Sequence, residues 1–264
     1  MEALDFGQTT VDEPAPLPAA ASRARADVRG VDLALDGQRV LDGVTFEIRP
    51  GELALLRGEN GSGKTALLNV LSGYLAPNHG SVRLRLDGEW VDVARASPES
   101  LARRGVGRLW QDIRLFPSMT VLDNVLTATQ RLLGQHPVLA LLAWPAVARQ
   151  EHGARDRAFK NLELVGMADR ARSACDMLSV GQMKRVALAR LLQMEASLLL
   201  LDEPLAGLDP AAVESFKRDL DRLREEQGKT ILVVEHRHEV LSGIADRVWT
   251  MNDGHIEECE TTRG

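Results

Sequence analysis

The feature that most constrains this chain is a glycine-rich run between an apolar segment and a helical pattern. The run follows the apolar residues 53–56 and precedes the helical pattern of residues 66–71, so the order is strand, loop, helix. That order is the context that a phosphate-binding loop requires, although such a run alone could be an ordinary turn. The run consists of Gly58, Glu59, Asn60, Gly61, Ser62, Gly63, Lys64 and Thr65.

A loop of this kind has the chemistry of an anion site. Its glycines let backbone N–H groups point inward, and the positive end of the following helix adds to the attraction for an anion. Lys64 is then placed to reach the β- and γ-phosphates of a nucleotide, and the Thr65 hydroxyl is placed to bind Mg²⁺. The loop therefore predicts a site for a nucleoside triphosphate and its metal ion.

Two carboxylates follow a second apolar run. Residues 198–201 are four leucines, and Asp202 and Glu203 come directly after them. Ligands of open α/β folds bind at the carboxyl ends of the parallel strands, where these acids would lie. We expect Asp202 to hold Mg²⁺ and Glu203 to orient or deprotonate an attacking water. Solvated acids at a strand end are the alternative, which the nearby phosphate loop disfavours.

A third pattern, residues 178–182, precedes another helical segment. Ser179 and Gln182 have the spacing of a capping box, so Ser179 is predicted to begin the helix. A capped helix start with Gly181 beside it also suits a phosphate, although capping alone would explain the pattern. Because the phosphate loop already forms one cradle, a second anion-binding helix start suggests a ligand shared between two chains.

Three further polar residues carry weaker signals. His236 follows the apolar residues 231–234 and could hydrogen-bond a γ-phosphate or a water, although a lone histidine there is more often structural. Gln111 follows residues 106–110 and could contact both Mg²⁺ and water. Asp209 lies in a turn after the acids, and this turn could face a partner chain.

The order of the predicted elements indicates an α/β fold. Uninterrupted apolar strands alternate with helices on both sides of a mostly helical stretch at residues 120–172, which is typical of a parallel sheet covered on both faces. Residues 1 to about 26 are rich in Ala, Pro and acidic residues without an apolar period. We expect a disordered tail there.

Charge and hydropathy exclude several classes of protein. The net charge is −6, and no run of Lys and Arg interleaved with aromatic residues suggests nucleic-acid binding. No apolar run approaches the roughly 20 residues that cross a bilayer. The N-terminus lacks the basic start and apolar core of a secretion signal. We therefore expect an intracellular chain that could attach peripherally to a membrane protein.

Together these motifs resemble the nucleotide-binding subunits of ABC transporters, over about residues 28–257. The joint pattern is specific, because the signature sequence excludes kinases and GTPases. The matching segments are residues 58–65 (Walker A), 198–203 (Walker B with its catalytic glutamate), 178–182 (signature), 206–209 (D-loop), Gln111 (Q-loop) and His236 (switch histidine).

The resemblance implies an α/β P-loop NTPase of the ABC ATPase type. Such a fold has a parallel core sheet, an N-terminal antiparallel β subdomain and an inserted α-helical subdomain, here at about residues 112–192. The ABC ATPase domain would span residues 27–257, with a disordered N-terminal tail at 1–26 and a C-terminal tail at 258–264.

The resemblance also implies ATP and Mg²⁺ as ligands. Glu203, His236 and Gln111 would be catalytic, and Thr65, Gln111 and Asp202 would bind the metal. The residues implied in nucleotide binding are Gly58, Glu59, Asn60, Gly61, Ser62, Gly63, Lys64, Thr65, Leu35, Ser179, Gly181, Gln182 and Asp209.

The implied partners are a second ATPase chain, identical or related, and membrane-spanning permease subunits. Two ATP molecules would lie between Walker A of one chain and the signature of the other, in a head-to-tail dimer at the cytoplasmic face of the cell membrane. Residues 108–125 further resemble the branched-chain amino acid uptake ATPases, which favours import of amino acids or amides such as urea. An ABC exporter, a non-transport ABC protein and a cassette without turnover are the alternatives; intact Glu203 and His236 argue against the last.

Several residues depart from the family pattern. Leu35 stands where an aromatic usually stacks on adenine, so a stacking energy of about 0.5–1.5 kcal/mol would be lost and base selectivity would be relaxed. Val180 replaces the commonest glycine of the signature. Trp110, before Gln111, is not the usual neighbour in the branched-chain group.

Overall fold

The computed structural model describes residues 24–130, 144–236, 241 and 243–259. None of the helices in these ranges is long and apolar enough to cross a membrane. The α-helices are α1 (Lys64–Leu71), α2 (Pro98–Arg103), α3 (Val121–Leu126), α4 (Trp144–Leu164), α5 (Val180–Gln193) and α6 (Pro210–Gln227). The strands are β1 (Arg25–Leu35), β2 (Gln38–Ile48), β3 (Leu53–Arg57), β4 (His79–Leu86), β5 (Glu89–Asp92), β6 (Val106–Leu109), β7 (Leu198–Asp202), β8 (Thr230–Glu235), β9 (Arg247–Asn252) and β10 (His255–Cys259).

The larger sheet has the order β10-β9-β3-β8-β7-β6. Its neighbours run parallel except for the edge strand β10, which pairs antiparallel with β9. Every residue of β7 and β8 is buried, because both faces of the sheet are covered. The predicted parallel core is confirmed. The carboxyl ends of β3, β6, β7 and β8 meet at one edge, so the segments that follow them can form a single site.

A smaller sheet has the order β2-β1-β4-β5 and is antiparallel throughout. Its apolar side chains share one core cluster with α1 and with one face of the larger sheet; Val31, Val44 and Leu84 lie in that cluster beside Leu56 and Leu67. The predicted N-terminal antiparallel subdomain is therefore confirmed as an element of the fold.

The described residues between β6 and β7 include the α-helices α3, α4 and α5, in agreement with the inserted helical subdomain that the resemblance implied. Helices α3, α4 and α5 pack against one another through Val125, Ala158, Leu162 and Leu188, all fully buried. Helix α5 ends at Gln193, close to the predicted limit of the inserted subdomain. The division of the chain into subdomains at those residues stays a prediction.

The described strands extend two residues beyond the predicted ends of the folded domain on each side. Strand β1 already begins at Arg25, and Ala24 and Ala26 are fully buried. Strand β10 continues to Cys259, beyond the predicted end at residue 257. Small alanines and a polar edge strand lack the apolar alternation by which strands are identified in a sequence. Residues 1–23 and 260–264, the remainder of the predicted tails, lie outside the described residues.

Candidate active site

The glycine-rich loop joins β3 to α1 at the carboxyl edge of the larger sheet, where the sequence predicted it. Gly63 is the residue before α1, and its φ of 108° favours glycine. A Cβ atom on Gly63 would lie 2.7 Å from the Val40 carbonyl oxygen, and one on Gly58 would lie 2.3 Å from that of Met251. The loop is therefore held closely between β2 and β9, and no larger residue fits at these two positions.

The turn between β9 and β10 supports the loop from behind. The Gly254 N–H donates to the Ser62 carbonyl oxygen over 3.1 Å, and the Gly254 carbonyl oxygen accepts from the Asp42 N–H over 3.0 Å. This chain of backbone hydrogen bonds connects the loop to both sheets.

Lys64 places a buried positive charge inside the loop. Its ammonium donates to the carbonyl oxygens of Gly58 and Glu59, over 2.7 and 2.5 Å. Burial lowers the pKa of Lys64, and the nearby carboxylates of Glu203 and Asp202 oppose that shift. Thr65 follows in the first turn of α1 and is exposed. A Lys side chain and a hydroxyl at the start of one helix are what phosphate and metal binding require.

The three residues predicted to be catalytic meet at one carboxylate. Oε2 of Glu203 lies 2.9 Å from Nε2 of His236 and accepts from Nε2 of Gln111 over 3.0 Å. The sequence placed these side chains after three different strands, β7, β8 and β6. Glu203 is buried, whereas its two partners, Gln111 and His236, are exposed. The buried carboxylate is therefore in contact with two side chains that face solvent.

Asp202, the last residue of β7, has one oxygen engaged and one free. Its Oδ2 lies 3.4 Å from the Arg108 guanidinium, whereas its buried Oδ1 has no hydrogen-bond partner within the described ranges. Burial raises the pKa of Asp202, and Arg108 opposes the shift. A free carboxylate oxygen, the Thr65 hydroxyl and the Gln111 amide are the oxygen ligands that Mg²⁺ prefers, so these residues fit that ion.

Sequence reasoning missed Arg108 as a neighbour of the site. Its guanidinium also donates to Asn69 Oδ1 over 2.7 Å and to Ser72 Oγ over 2.8 Å, and it stacks on the Trp110 ring, 3.8 Å from the ring centroid. A charged residue in a short, otherwise apolar strand was the available signal. Nothing in the sequence identified Asp202 as its partner.

Two more charged residues beside the acids were missed, Lys184 on α5 and Glu235 at the end of β8. Lys184 Nζ donates to the carbonyl oxygens of Glu203 and Ala206, and Glu235 accepts from the Leu205 N–H. An acidic residue that ends an apolar strand, directly before His236, was a signal for Glu235. Lys184 reads as an ordinary helical lysine.

The predicted signature residues form a capped helix start. Ser179 accepts from the Gln182 N–H over 3.3 Å, and the Gln182 side chain accepts from the Ser179 N–H over 3.0 Å, which confirms the capping box. Gly181 follows Ser179 in the first turn of α5. No hydrogen bond between described residues joins these three to residues 58–65. Ser179 is exposed, and the hydrogen bonds of the capping box are made within the start of α5 itself.

The two remaining predicted contacts are peripheral within the chain. Asp209 begins α6, where its carboxylate accepts from the Ala212 N–H over 2.9 Å, and it is exposed. Leu35 ends β1 with 39% of its surface exposed. Their roles toward a nucleotide stay predictions.

Comparison with known proteins gives a consistent result. Residues 41–206 match the profile of a family described as ABC transporter. The chain is 33% identical, over 233 residues, to the high-affinity branched-chain amino acid transport ATP-binding protein BraF of Pseudomonas aeruginosa, covering 88% of this chain and 90% of that protein.

Solved structures agree over most of the chain. An ATP-binding cassette of an ABC transporter in its ADP conformation is similar with a TM-score of 0.72 and 28% identity, over 89% of each chain. A dimeric ATP-binding cassette in a post-hydrolysis state, bound to ADP and Pi, is similar with a TM-score of 0.70 and 26% identity, over 90% of this chain and 99% of that one.

Proposed function

Because the chain belongs to the ABC transporter family, we propose that it is an ATP-hydrolysing subunit that powers import of amino acids or related small amides across the cytoplasmic membrane. The observation that carries the proposal is the Glu203 carboxylate, held by Gln111 and His236 beside the glycine-rich loop. The similarity to a branched-chain amino acid transport protein supports the substrate class.

In this proposal the residues of the loop bind ATP through its phosphates. The backbone N–H groups of residues 58–65 and the start of α1 face the phosphate oxygens, and Lys64 exchanges its loop carbonyl partners for the β- and γ-phosphates. Thr65, Gln111 and Asp202 are the residues that hold Mg²⁺, which neutralises charge on the phosphates when it is bound.

Glu203 acts on the attacking water. A carboxylate with one oxygen directed toward Gln111 and His236 is positioned to accept a proton from a water or to orient it, and the amide and imidazole fix that carboxylate. His236 can donate a hydrogen bond from its imidazole to the γ-phosphate. It therefore responds to the negative charge of that group.

The proposed assembly is a head-to-tail dimer that docks on membrane-spanning permease subunits at the cytoplasmic face. Ser179 at the capped start of α5 is exposed, and no hydrogen bond between described residues joins it, Gly181 or Gln182 to the loop of their own chain, so in this proposal these three residues contact the nucleotide of a second chain. Asp209 and Leu35, both exposed, complete the predicted contacts. The dimeric solved relative supports this arrangement.

The test of the activity is Mg²⁺-dependent phosphate release from ATP by the purified chain and by Glu203→Gln. We expect the wild type to hydrolyse ATP, and Glu203→Gln to bind ATP with unchanged affinity while its turnover falls by about 10²-fold or more, since proton transfer by a positioned side chain contributes 10²–10⁴-fold. Turnover of this variant at the wild-type rate would remove Glu203 from the mechanism. Lys64→Ala is the matched binding variant and should lose affinity.

The partners are tested by capture of the tagged chain from detergent-solubilised native membranes, followed by mass spectrometry. Recovery of membrane-spanning subunits together with a soluble substrate-binding protein supports import. Recovery of a single export-type permease, or of ribosomal proteins alone, would contradict it.

A further inference from the structure

The turn that follows β7 holds the Glu203 backbone in an uncommon conformation. Glu203 has a φ of 47°, which an L side chain rarely adopts and which persists only when surrounding contacts enforce it. Its N–H donates to the Val234 carbonyl oxygen over 2.9 Å. Because the side chain leaves the backbone at this residue, any relaxation of the turn would move the Glu203 carboxylate.

Lys184 holds this turn from α5. Its ammonium donates to the Glu203 carbonyl oxygen over 2.9 Å and to the Ala206 carbonyl oxygen over 2.7 Å, so it bridges the first and last residues of the turn. The side chain is buried, with 4% of the residue exposed. A buried ammonium is costly unless its donors are used, and here two of the three are directed at one short segment.

Glu235 holds the middle of the same turn from β8. Its Oε1 accepts from the Leu205 N–H over 2.7 Å, and 3% of the residue is exposed. Burial lowers the pKa of Lys184 and raises the pKa of Glu235, and the charge of each opposes the shift of the other. The two residues thus form a pair of opposite charges that fixes three backbone groups of residues 203–206.

We propose that Lys184 and Glu235 are positioning residues, which fix the turn of residues 203–206 and so hold the Glu203 carboxylate against Gln111 and His236. This inference rests on the proposed ATP hydrolysis. The inference connects the Glu203 carboxylate to the start of α5, because Lys184 lies on the helix that Ser179 caps. The predicted catalytic residues do not lie on that helix.

The consequence is communication between the two sites of a dimer. The start of α5 is the proposed contact to the nucleotide of the second chain, and Lys184 lies five residues beyond Ser179 on the same rigid helix. Movement of α5 on binding that nucleotide would shift the two carbonyl groups that Lys184 holds. The Glu203 of one chain would then respond to the nucleotide in the site of the other.

The experiment compares Lys184→Met with Arg185→Met. Both remove a cation from neighbouring positions of α5, but Arg185 pairs with Asp219 on α6. Among the described residues, no hydrogen bond or ion pair joins Arg185 to the turn. We expect Lys184→Met to lower kcat at saturating ATP at least tenfold with an ATP Kd within about threefold of wild type. Lys184→Arg, which keeps a donor, should recover part of kcat, and Arg185→Met should keep kcat within about threefold.

A double-mutant cycle separates positioning from general damage to the fold. If Lys184 acts through Glu203, adding Lys184→Met to Glu203→Gln should leave the residual phosphate release unchanged. A further tenfold loss in the double variant would contradict the inference, and so would equal kcat values for Lys184→Met and Arg185→Met.

Glu235→Gln provides a second route to the same answer if Lys184→Met does not fold. This variant keeps an acceptor for the Leu205 N–H but removes the negative charge that opposes Lys184. We therefore expect kcat to fall with little change in the Kd for ATP. An unchanged kcat would contradict the role of Glu235. If the wild type itself releases no phosphate from ATP, the proposed function fails and this inference fails with it. Hydrolysis by the wild type with unaffected variants refutes the inference alone.

Discussion

Asp202 illustrates how the charge balance of the site is set by single side chains. Burial favours its neutral form, whereas Arg108 and Lys64 favour the carboxylate. The Arg108 side chain is itself buried and has three polar partners and an aromatic ring, so its position is fixed. A metal-binding carboxylate must be ionised, and the fixed guanidinium supports that state without occupying the free Oδ1.

Leu35 gives a prediction about nucleotide affinity. If the base of ATP lies against the exposed end of β1, Leu35→Tyr adds aromatic stacking of about 0.5–1.5 kcal/mol and tightens ATP binding roughly two- to thirteenfold. Calorimetry at fixed Mg²⁺ measures the change, with Leu35→Ala as the control that removes apolar contact without adding a ring. Equal affinities of the tyrosine and alanine variants would show that the base does not bind at Leu35.

The residues of the site divide sharply by how far their partners lie in the sequence. Lys64, Asp202 and Glu203 were predictable, because each sits within a local pattern of strand, loop and helix. Arg108, Lys184 and Glu235 were not, because their partners come from other segments that only the fold brings together. Local pattern identifies the groups that perform the chemistry, whereas the groups that hold them depend on tertiary packing.

The contact between helices α5 and α6 contains a carboxylate in an unfavourable setting. Asp219 of α6 lies 3.5 Å from Arg185 of α5, and its buried Oδ2 has no hydrogen-bond partner among the described residues. Burial raises the pKa of Asp219 to about 6, against the opposing charges of Arg185, Arg222 and Arg218. The folded protein therefore binds a proton here more tightly than the unfolded chain does.

This raised pKa predicts a pH-dependent stability difference. Stabilisation by the proton is fully present below the unfolded pKa of 3.8 and is lost as pH rises through about 6. Relative to Asp219→Asn, the wild type should therefore lose unfolding free energy between pH 4 and pH 7, by up to about 3 kcal/mol. Urea unfolding of both proteins across this range measures it. Glu214→Gln, on the exposed side of α6, is the control; a flat difference for Asp219→Asn would refute the shift.

The elements themselves were predicted better than their ends. The capping box at Ser179 was correct to the residue, because a cap is a specific local arrangement of side chain and backbone. Strands β1 and β10 run two residues beyond the predicted limits of the domain. Their terminal residues are small or polar, so they leave no trace in the apolar pattern.

Two chains are needed for a complete site in the proposed assembly, and this can be tested by complementation. Lys64→Ala removes the lysine that binds phosphate. Gly181→Asp puts a negative charge where the second chain's γ-phosphate would lie. An acid in the first turn of a helix is favourable to the helix itself, so the repulsion acts on the phosphate. Each variant alone should have little activity. Mixed in equal amounts, they form some dimers with one intact site, so ATP hydrolysis should return in part. No recovery from a mixture shown to contain mixed dimers would contradict the head-to-tail arrangement.

The turn at Gly254 has a consequence for how the protein is made. The glycine-rich loop is synthesised long before Met251 and Gly254, whose backbone groups it packs against. Until those two residues have left the ribosome, the nascent chain therefore carries a loop that lacks its backing. Nucleotide binding should begin only after Gly254 has emerged, so a chain terminated before that residue would be unable to capture ATP and would present itself to quality control as unfolded.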